Sequence, residues 1–89
     1  IMEIKKGNNC YYIGENENNY KGILTYEEKG DVIDATHTIV KPEYGGQGLA
    51  GELVKKLVED ARSENKKIKG TCSYVEKKLE SSDFDDVRA

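Results

Sequence analysis

The sequence predicts an α+β domain, a mixed and mostly antiparallel sheet that contains one βαβ unit. Three observations carry this reading. Before Pro42 the chain is a succession of short β-rich runs broken by Gly, Asn and Asp turns. From Leu49 to Ala61 the apolar residues fall at steps of three, four and one, the spacing of an amphipathic helix. After that helix IKGTCS reads as a strand again, and a strand–helix–strand crossover is right-handed with its two strands parallel.

Taken in order, Glu3 to Lys6 suits a short strand, with Gly7-Asn8-Asn9 as a turn. CYYIGE, Cys10 to Glu15, is rich in β-formers, and ENENN, Glu15 to Asn19, is too polar and turn-prone to extend it. YKGILTYEE, Tyr20 to Glu28, alternates, with Gly22, Leu24 and Tyr26 opposite Ile23 and Thr25. Lys29-Gly30-Asp31 turns the chain into VIDATHTIVK. There strict alternation puts Ile33, Ala35, His37 and Ile39 on one face, and Val32, Asp34, Thr36, Thr38 and Val40 on the other. Short turns between successive strands imply antiparallel pairing. In the helix Leu49, Ala50, Leu53, Val54, Leu57, Val58 and Ala61 form the apolar face; Glu52, Lys55, Lys56, Glu59, Asp60 and Arg62 fill the rest. That pattern lasts about four to five turns, and SENKK ends it. In the next strand Ile68, Gly70 and Cys72 share a face. Ser73-Tyr74-Val75-Glu76 then matches a capping box opening a helix to about Glu80. The tail SSDFDDVRA is polar apart from Phe84 and Val87, and no element is assigned to it.

A length of 89 residues suits a single domain, 1–89, with one modest core. The net charge of −3 and a pI near 5.2 argue against a nucleic-acid binder, which at this size carries a basic face. No apolar run approaches the ~20 residues of a membrane-spanning helix, and no secretory signal opens the chain. Cys10 and Cys72, far apart, read as free thiols of a cytoplasmic protein. The acidic residues show no metal-ligand spacing, so no metal is expected.

VKPEYGGQGLAGELVKKL crowds Gly45, Gly46, Gly48 and Gly51 between strand and helix. A single turn uses one or two glycines, and a glycine inside a helix costs about 1 kcal/mol against alanine. A strand, a glycine-rich loop and a helix N-terminus make an anion cradle, in which bare backbone lets a phosphate reach the N–H groups. Gly46-Gln47-Gly48-Leu49-Ala50-Gly51 satisfies G-x-G-x-x-G, but Lys41 to Tyr44 intervene after the strand and the upstream strands are antiparallel, against a dinucleotide fold. The P-loop pattern fails because Glu52-Leu53 stands where Lys-Ser/Thr is required.

The stretch VKPEYGGQGLAGELVKKLVEDA resembles the coenzyme A signature of the GNAT superfamily of N-acetyltransferases: an apolar strand, Pro-Glu-Tyr, then (Gln/Arg)-x-x-G-x-(Gly/Ala) leading into a helix. Gly45 holds the Gln/Arg place, Gly48 the central glycine and Ala50 the final small residue. With ATHTIVKPEYGGQGLA followed by CSYVEKKL, the chain is similar to a short GNAT-like subfamily without the two N-terminal helices that build the acceptor groove in larger relatives. The resemblance implies acetyl-CoA as co-substrate, in a cleft where the strands flanking the signature helix splay apart. Pantetheine would run along Thr38, Ile39 and Val40; the glycine loop with its helix start, Gly45, Gly46, Gln47, Gly48, Leu49 and Ala50, would take the pyrophosphate.

Acetyl transfer to an amine needs a base for the amine's proton and a group that steadies the leaving thiolate. Histidine is the side chain whose unperturbed pKa lies near neutrality, and His37, the only one, is the candidate base; its alternative is a half-buried strand histidine. Cys72 stands before a helix start, which favours thiolate, so it either carries the acetyl group, lines the acyl site or simply fills space. By resemblance Tyr74 is near the tyrosine acid of related enzymes, with core packing as the alternative. Lys66, Lys67 and Lys69 would reach the adenosine phosphates or, more simply, face water. The expected acceptor is a small-molecule or peptide amine, with direct transfer favoured. A non-catalytic or regulatory coenzyme A-binding module is the other reading.

Overall fold

The computed structural model describes residues 2–89. Five strands lie side by side in chain order: β1 (Lys5–Gly7), β2 (Cys10–Asn16), β3 (Asn19–Lys29), β4 (Val32–Val40) and β5 (Lys67–Gly70). The first four pair antiparallel, and β4 pairs parallel with β5 from Val32↔Lys67 to Ala35↔Gly70. The crossover between them contains α1 (Leu49–Glu64), and α2 (Ser73–Lys78) follows β5. This is the mixed α+β architecture with a βαβ unit that the sequence predicts. No helix is long and apolar enough to cross a membrane, among the described residues.

The core forms where α1 meets the sheet. Leu49, Leu53, Val54, Leu57, Val58 and Ala61 are buried against Tyr11, Ile13, Leu24, Tyr26, Ile33 and Ala35, while Ala50 is only partly covered. Tyr11 turns its hydroxyl out of the core to donate to Asp60 Oδ2 at 2.7 Å, which satisfies the one polar atom its burial would strand. Helix α1 ends on Asn65, held left-handed at φ 56°. Lys66 N–H donates to Ala61 C=O at 2.8 Å and Asn65 N–H to Arg62 C=O, a Schellman closure.

Several expectations need correction. Strand β1 starts at Lys5, two residues later than read, and the β2–β3 turn is tighter than ENENN suggested, because Asn16 and Asn19 pair with each other. The faces of β4 do not alternate throughout. Thr25 pairs with His37 but Tyr26 pairs with Ala35, leaving Thr36 as an extra residue. This β-bulge reverses the phase. Ile33 and Ala35 face α1, as do Thr38 and Val40, whereas His37 and Ile39 turn to the opposite face and are exposed. The Thr25 and Thr36 hydroxyls, 2.7 Å apart, pin the bulge.

The capping box at Ser73 does not form. Glu76 N–H donates to the Cys72 carbonyl, so the helix starts one residue earlier than read, with Cys72 at its N-cap and Ser73 already inside. Helix α2 ends by Lys78, capped at Leu79, short of Glu80. The tail is ordered: Val87 is buried, Ile68 bridges to Arg88, and the Arg88 guanidinium donates to the Leu79 and Ser81 carbonyls. This segment lies along the outer edge of β5.

Candidate active site

The glycine loop leaves β4 through a 3₁₀ turn, Pro42–Tyr44, then bends twice in left-handed backbone, at Gly46 (φ 76°) and Gly48 (φ 81°). A side chain at either would strain the backbone, although neither faces an atom within 4 Å. These two glycines build the turn. Gly45 is extended (φ −65°, ψ 155°), and Gly51 sits in the first turn of α1, where an added Cβ would meet only the Tyr74 hydroxyl at 3.9 Å. Neither of those is demanded by the fold.

The loop presents its backbone donors to solvent. Gly45 N–H donates to Pro42 C=O and Glu52 N–H to Gly48 C=O, but the intervening N–H groups, residues 46–51, have no protein acceptor among the described residues. No side chain caps α1 either. A consecutive run of free donors at the positive end of a sixteen-residue helix is an anion site. Behind it a groove of about 330 Å³ runs between α1 and α2, lined by Gly51, Val54, Lys55, Val58, Lys78 and Phe84 among others.

The second element is the gap between β4 and β5. Their pairing stops at Ala35↔Gly70, after which Cys72 N–H donates to Ala35 C=O (2.9 Å) and the chain leaves for α2. From residue 36 to residue 40 the edge of β4 turned toward β5 therefore has no strand partner among the described residues, and only Cys72 Sγ meets it, at the Thr38 N–H. The departure is fixed from two sides. Gly70 lies so close to α2 that a Cβ there would be 2.6 Å from the Glu76 nitrogen. Buried Asp34 accepts from the Thr71 hydroxyl at 2.6 Å and from Thr71 N–H at 3.4 Å, with Lys29 Nζ 3.3 Å away. The Thr71 hydrogen bond, against the cost of burial and with help from Lys29, holds the Asp34 carboxyl below the usual carboxylate range.

At the inner end of the gap Cys72 Sγ lies 3.5 Å from Thr38 Oγ1. Burial would raise this thiol, but the Thr38 hydroxyl and the N–H groups of Val75, Tyr74 and Thr38 favour its anion, and the net shift is downward. Cys10 is the opposite case. It is buried on the other face of the sheet beside Glu17, and burial and that carboxylate both push its thiol up. Both cysteines are free.

A splayed parallel strand pair with a free-donor loop at the head of the crossover helix is a distinctive combination, and residues 10–87 match the family model described as GCN5-related N-acetyl-transferase. The chain belongs to the GCN5-related N-acetyltransferase family. It is 42% identical to a GCN5-like protein of Staphylococcus aureus whose solution structure superposes with a TM-score of 0.82, over 99% of this chain and 88% of that one. The ribosomal-protein-S18-alanine N-acetyltransferase of Escherichia coli shares the fold alone, with a TM-score of 0.64 at 14% identity over 84% of this chain and 54% of that one. Protein NATD1 of Gallus gallus is 34% identical over 58 residues, 64% of this chain and 53% of that protein; Protein NATD1 of Homo sapiens matches equally, over 51% of its length. The chain thus spans about half the length of these curated relatives.

Against this family frame the residues singled out in the sequence divide. Gly46, Gln47, Gly48, Leu49 and Ala50 all contribute to the free-donor run; Gly45 only leads into it, its N–H being used. Thr38, Ile39 and Val40 lie on the unpaired edge of β4, and Thr38 meets Cys72 there. His37 is not brought to the same side: the bulge directs it to the exposed opposite face. Tyr74 stands across from Gly51, and its ring lies beneath Lys78 Nζ at 5.9 Å. Lys66 is engaged with Glu28 and Glu64, and Lys67 with the Asp86 carbonyl, at the end of α1 away from the loop, so neither stands beside the free donors. Asp34, Thr71 and the Gly51 N–H were not singled out. An aspartate inside the β-rich run VIDATHTIV was the one available signal.

Proposed function

We propose that this domain is an acetyl-CoA-dependent N-acetyltransferase acting on a small-molecule or peptide amine. The observation that carries the reading is the run of unpartnered N–H groups at residues 46–51, opening beside the unpaired edge of β4. The site fits the coenzyme: the donors suit a pyrophosphate, an added Cβ at Gly46 or Gly48 would meet nothing within 4 Å, and the free strand edge suits the amides of a pantetheine arm. Residues 46–51 would hold the pyrophosphate, Thr38 to Val40 the arm, and the groove with Lys55 and Lys78 the nucleotide end. When bound, the coenzyme supplies an acetyl thioester, already activated for attack by an amine.

The chain's own residues then have distinct tasks. Cys72 and Thr38 line the acyl end, where a hydroxyl and a set of backbone N–H groups favour an anionic sulfur. Tyr74, exposed across from Gly51, would stand where the coenzyme enters and offer its hydroxyl as the acid for the leaving thiolate. His37 takes the proton of an amine arriving from the opposite face of β4, the side that α1 leaves bare. Direct transfer uses Cys72 only as a wall. Its lowered thiol pKa favours a second route, in which Cys72 sulfur accepts the acetyl group and passes it to the amine.

Calorimetry with coenzyme A, acetyl-CoA and NAD tests the binding, and an acetyl-transfer assay over an amine panel tests the activity. Tighter binding of NAD than of acetyl-CoA would refute the reading. In the same preparation, acetyl-CoA without amine should leave Cys72 unmodified if transfer is direct. A hydroxylamine-sensitive acetyl adduct on Cys72 that turns over with the reaction would establish the second route.

A further inference from the structure

The loop that carries the free donors has little to hold it in place. Its 3₁₀ turn has no side-chain cap and buries no residue, and α1, with Gly48 as its N-cap, has no side-chain cap either. The bonds Tyr44 N–H to Lys41 C=O and Gly45 N–H to Pro42 C=O close the turn on itself. Glycines, the residues with the most conformational freedom to lose, then follow at 45, 46 and 48. Where the donors point is decided by whatever anchors the chain just upstream.

That anchor is a crossed pair of contacts to the start of β3. Lys41 Nζ lies over the Tyr20 ring at 4.9 Å, and Lys21 Nζ lies over the Tyr44 ring at 5.2 Å. Between them Lys41 N–H donates to Lys21 C=O at 2.9 Å. Adjacent residues of β3 thus grip the chain on both sides of Pro42, ring under cation at one point and cation over ring at the other. Among the described residues neither lysine has a carboxylate partner that competes for it. Tyr44 also packs against the edge of the core, so the second contact is seated.

We propose that Tyr20 and Lys21 are positioning residues for the glycine loop, acting through Lys41 and Tyr44 as a crossed cation–π clamp that preorganises the 46–51 donors. Each contact blocks a different motion: Tyr20 fixes the entry to the Pro42 turn and Lys21 its exit. A loop ordered before the ligand arrives spares binding the cost of ordering it. The inference rests on the proposed coenzyme site for its ligand, but the ordering of the loop is a property of the free protein. Both lysines spend their charge on a ring, so removing the ring and removing the charge should have one and the same effect.

The test uses Tyr20→Leu, Lys41→Gln, their double variant, and Lys41→Arg, each titrated with coenzyme A by calorimetry and examined by ¹⁵N relaxation at Gly45, Gly46 and Gly48. Tyr20→Leu and Lys41→Gln should each weaken coenzyme A roughly two- to fivefold, the factor an exposed cation–π contact carries. The amide order parameters of the three glycines should fall with it. The double variant should lose no more than either single one, the signature of a coupled pair, and Lys41→Arg should bind like the parent because a guanidinium keeps the contact. Unchanged affinity and unchanged glycine order in Tyr20→Leu would overturn the proposal. So would weakening in Lys41→Gln alone, which would mean that the charge meets the ligand directly. If the parent chain bound no coenzyme A, the coenzyme reading would fall, and the glycine order parameters would still decide the clamp. Should Tyr20→Leu not fold, the Lys41→Gln and Lys41→Arg pair decides by the same measurements.

Discussion

Replacing Gly51 by alanine sets the interest of the fold against that of the ligand. Gly51 is the third residue of α1, and a Cβ there would meet only the Tyr74 hydroxyl at 3.9 Å, an ordinary contact. Alanine is favoured over glycine by about 0.8–1.0 kcal/mol in a helix interior, and by roughly half of that in a first turn. For a domain of this size such a gain raises Tm by roughly 2–4 °C. The added methyl would stand beside the last of the free donors, on the floor of the groove between α1 and α2. Losing one charge-assisted hydrogen bond to a phosphate costs about 1.5–3 kcal/mol, a weakening of ten- to a hundredfold at about 1.4 kcal/mol per decade. Differential scanning calorimetry of the free protein and a coenzyme A titration of the same sample measure both quantities. The expected result has opposite signs: a more stable protein that binds worse. Gly51→Ala that is more stable and binds coenzyme A as the parent does would refute the idea that the ligand approaches this backbone.

Gly70→Ala should be severe for a different reason: its Cβ would lie 2.6 Å from the Glu76 nitrogen and 2.7 Å from the Glu76 Cα, so α2 must shift. A loss of about 1–3 kcal/mol is expected, visible as a lower denaturation midpoint, and an unchanged midpoint would contradict the close packing. Asp34 has a folded pKa below its unfolded value of about 3.9, so the unfolded chain binds the proton more readily and stability rises with pH in that range. Its contribution is present above the unfolded pKa and disappears as pH falls through the folded one; Asp34→Asn should therefore flatten the acid limb of a pH–stability curve while leaving its upper part parallel to the parent's. With a lowered thiol pKa and partial exposure, Cys72 should react with iodoacetamide well before buried Cys10 at neutral pH. Thr38→Val should slow that reaction, as peptide mapping by mass spectrometry would record.

The helix, the crossover and the glycine loop were legible because each is a local pattern. The apolar period from Leu49 to Ala61 needs no partner to be read, and the strand–helix–strand order leaves one hand for the connection. What escaped the sequence depends on partners. The bulge at Thr36 exists only relative to the register of β3, so alternation along β4 assigned His37 and Ile39 to the wrong side. The supposed cap at Ser73 lost to the Cys72 carbonyl, because Gly70 lets α2 approach the end of β5 and start one residue early. Phe84 and Val87 looked like strays in a polar tail, and Val87 is buried once β5 offers its outer edge. In the site, the glycines pointed to the free donors correctly, while the Asp34–Thr71 bond that sets where Cys72 leaves the sheet spans 37 residues of chain.

The extra residue in β4 also determines what kinds of sequence change this strand tolerates. Substitutions from His37 to Val40 alter one side chain at a time, and the faces stay as they are. Loss of Thr36 would act differently, because Ala35 and His37 would become neighbours in regular alternation and every downstream face would stay where it is. Thr38 would still face Cys72 and Val40 still face α1, while the local bend and twist of the bulge and its Thr25–Thr36 hydroxyl contact would be lost. Related chains can therefore lack one residue at this point and keep the same interior, with a straighter strand beside the cleft.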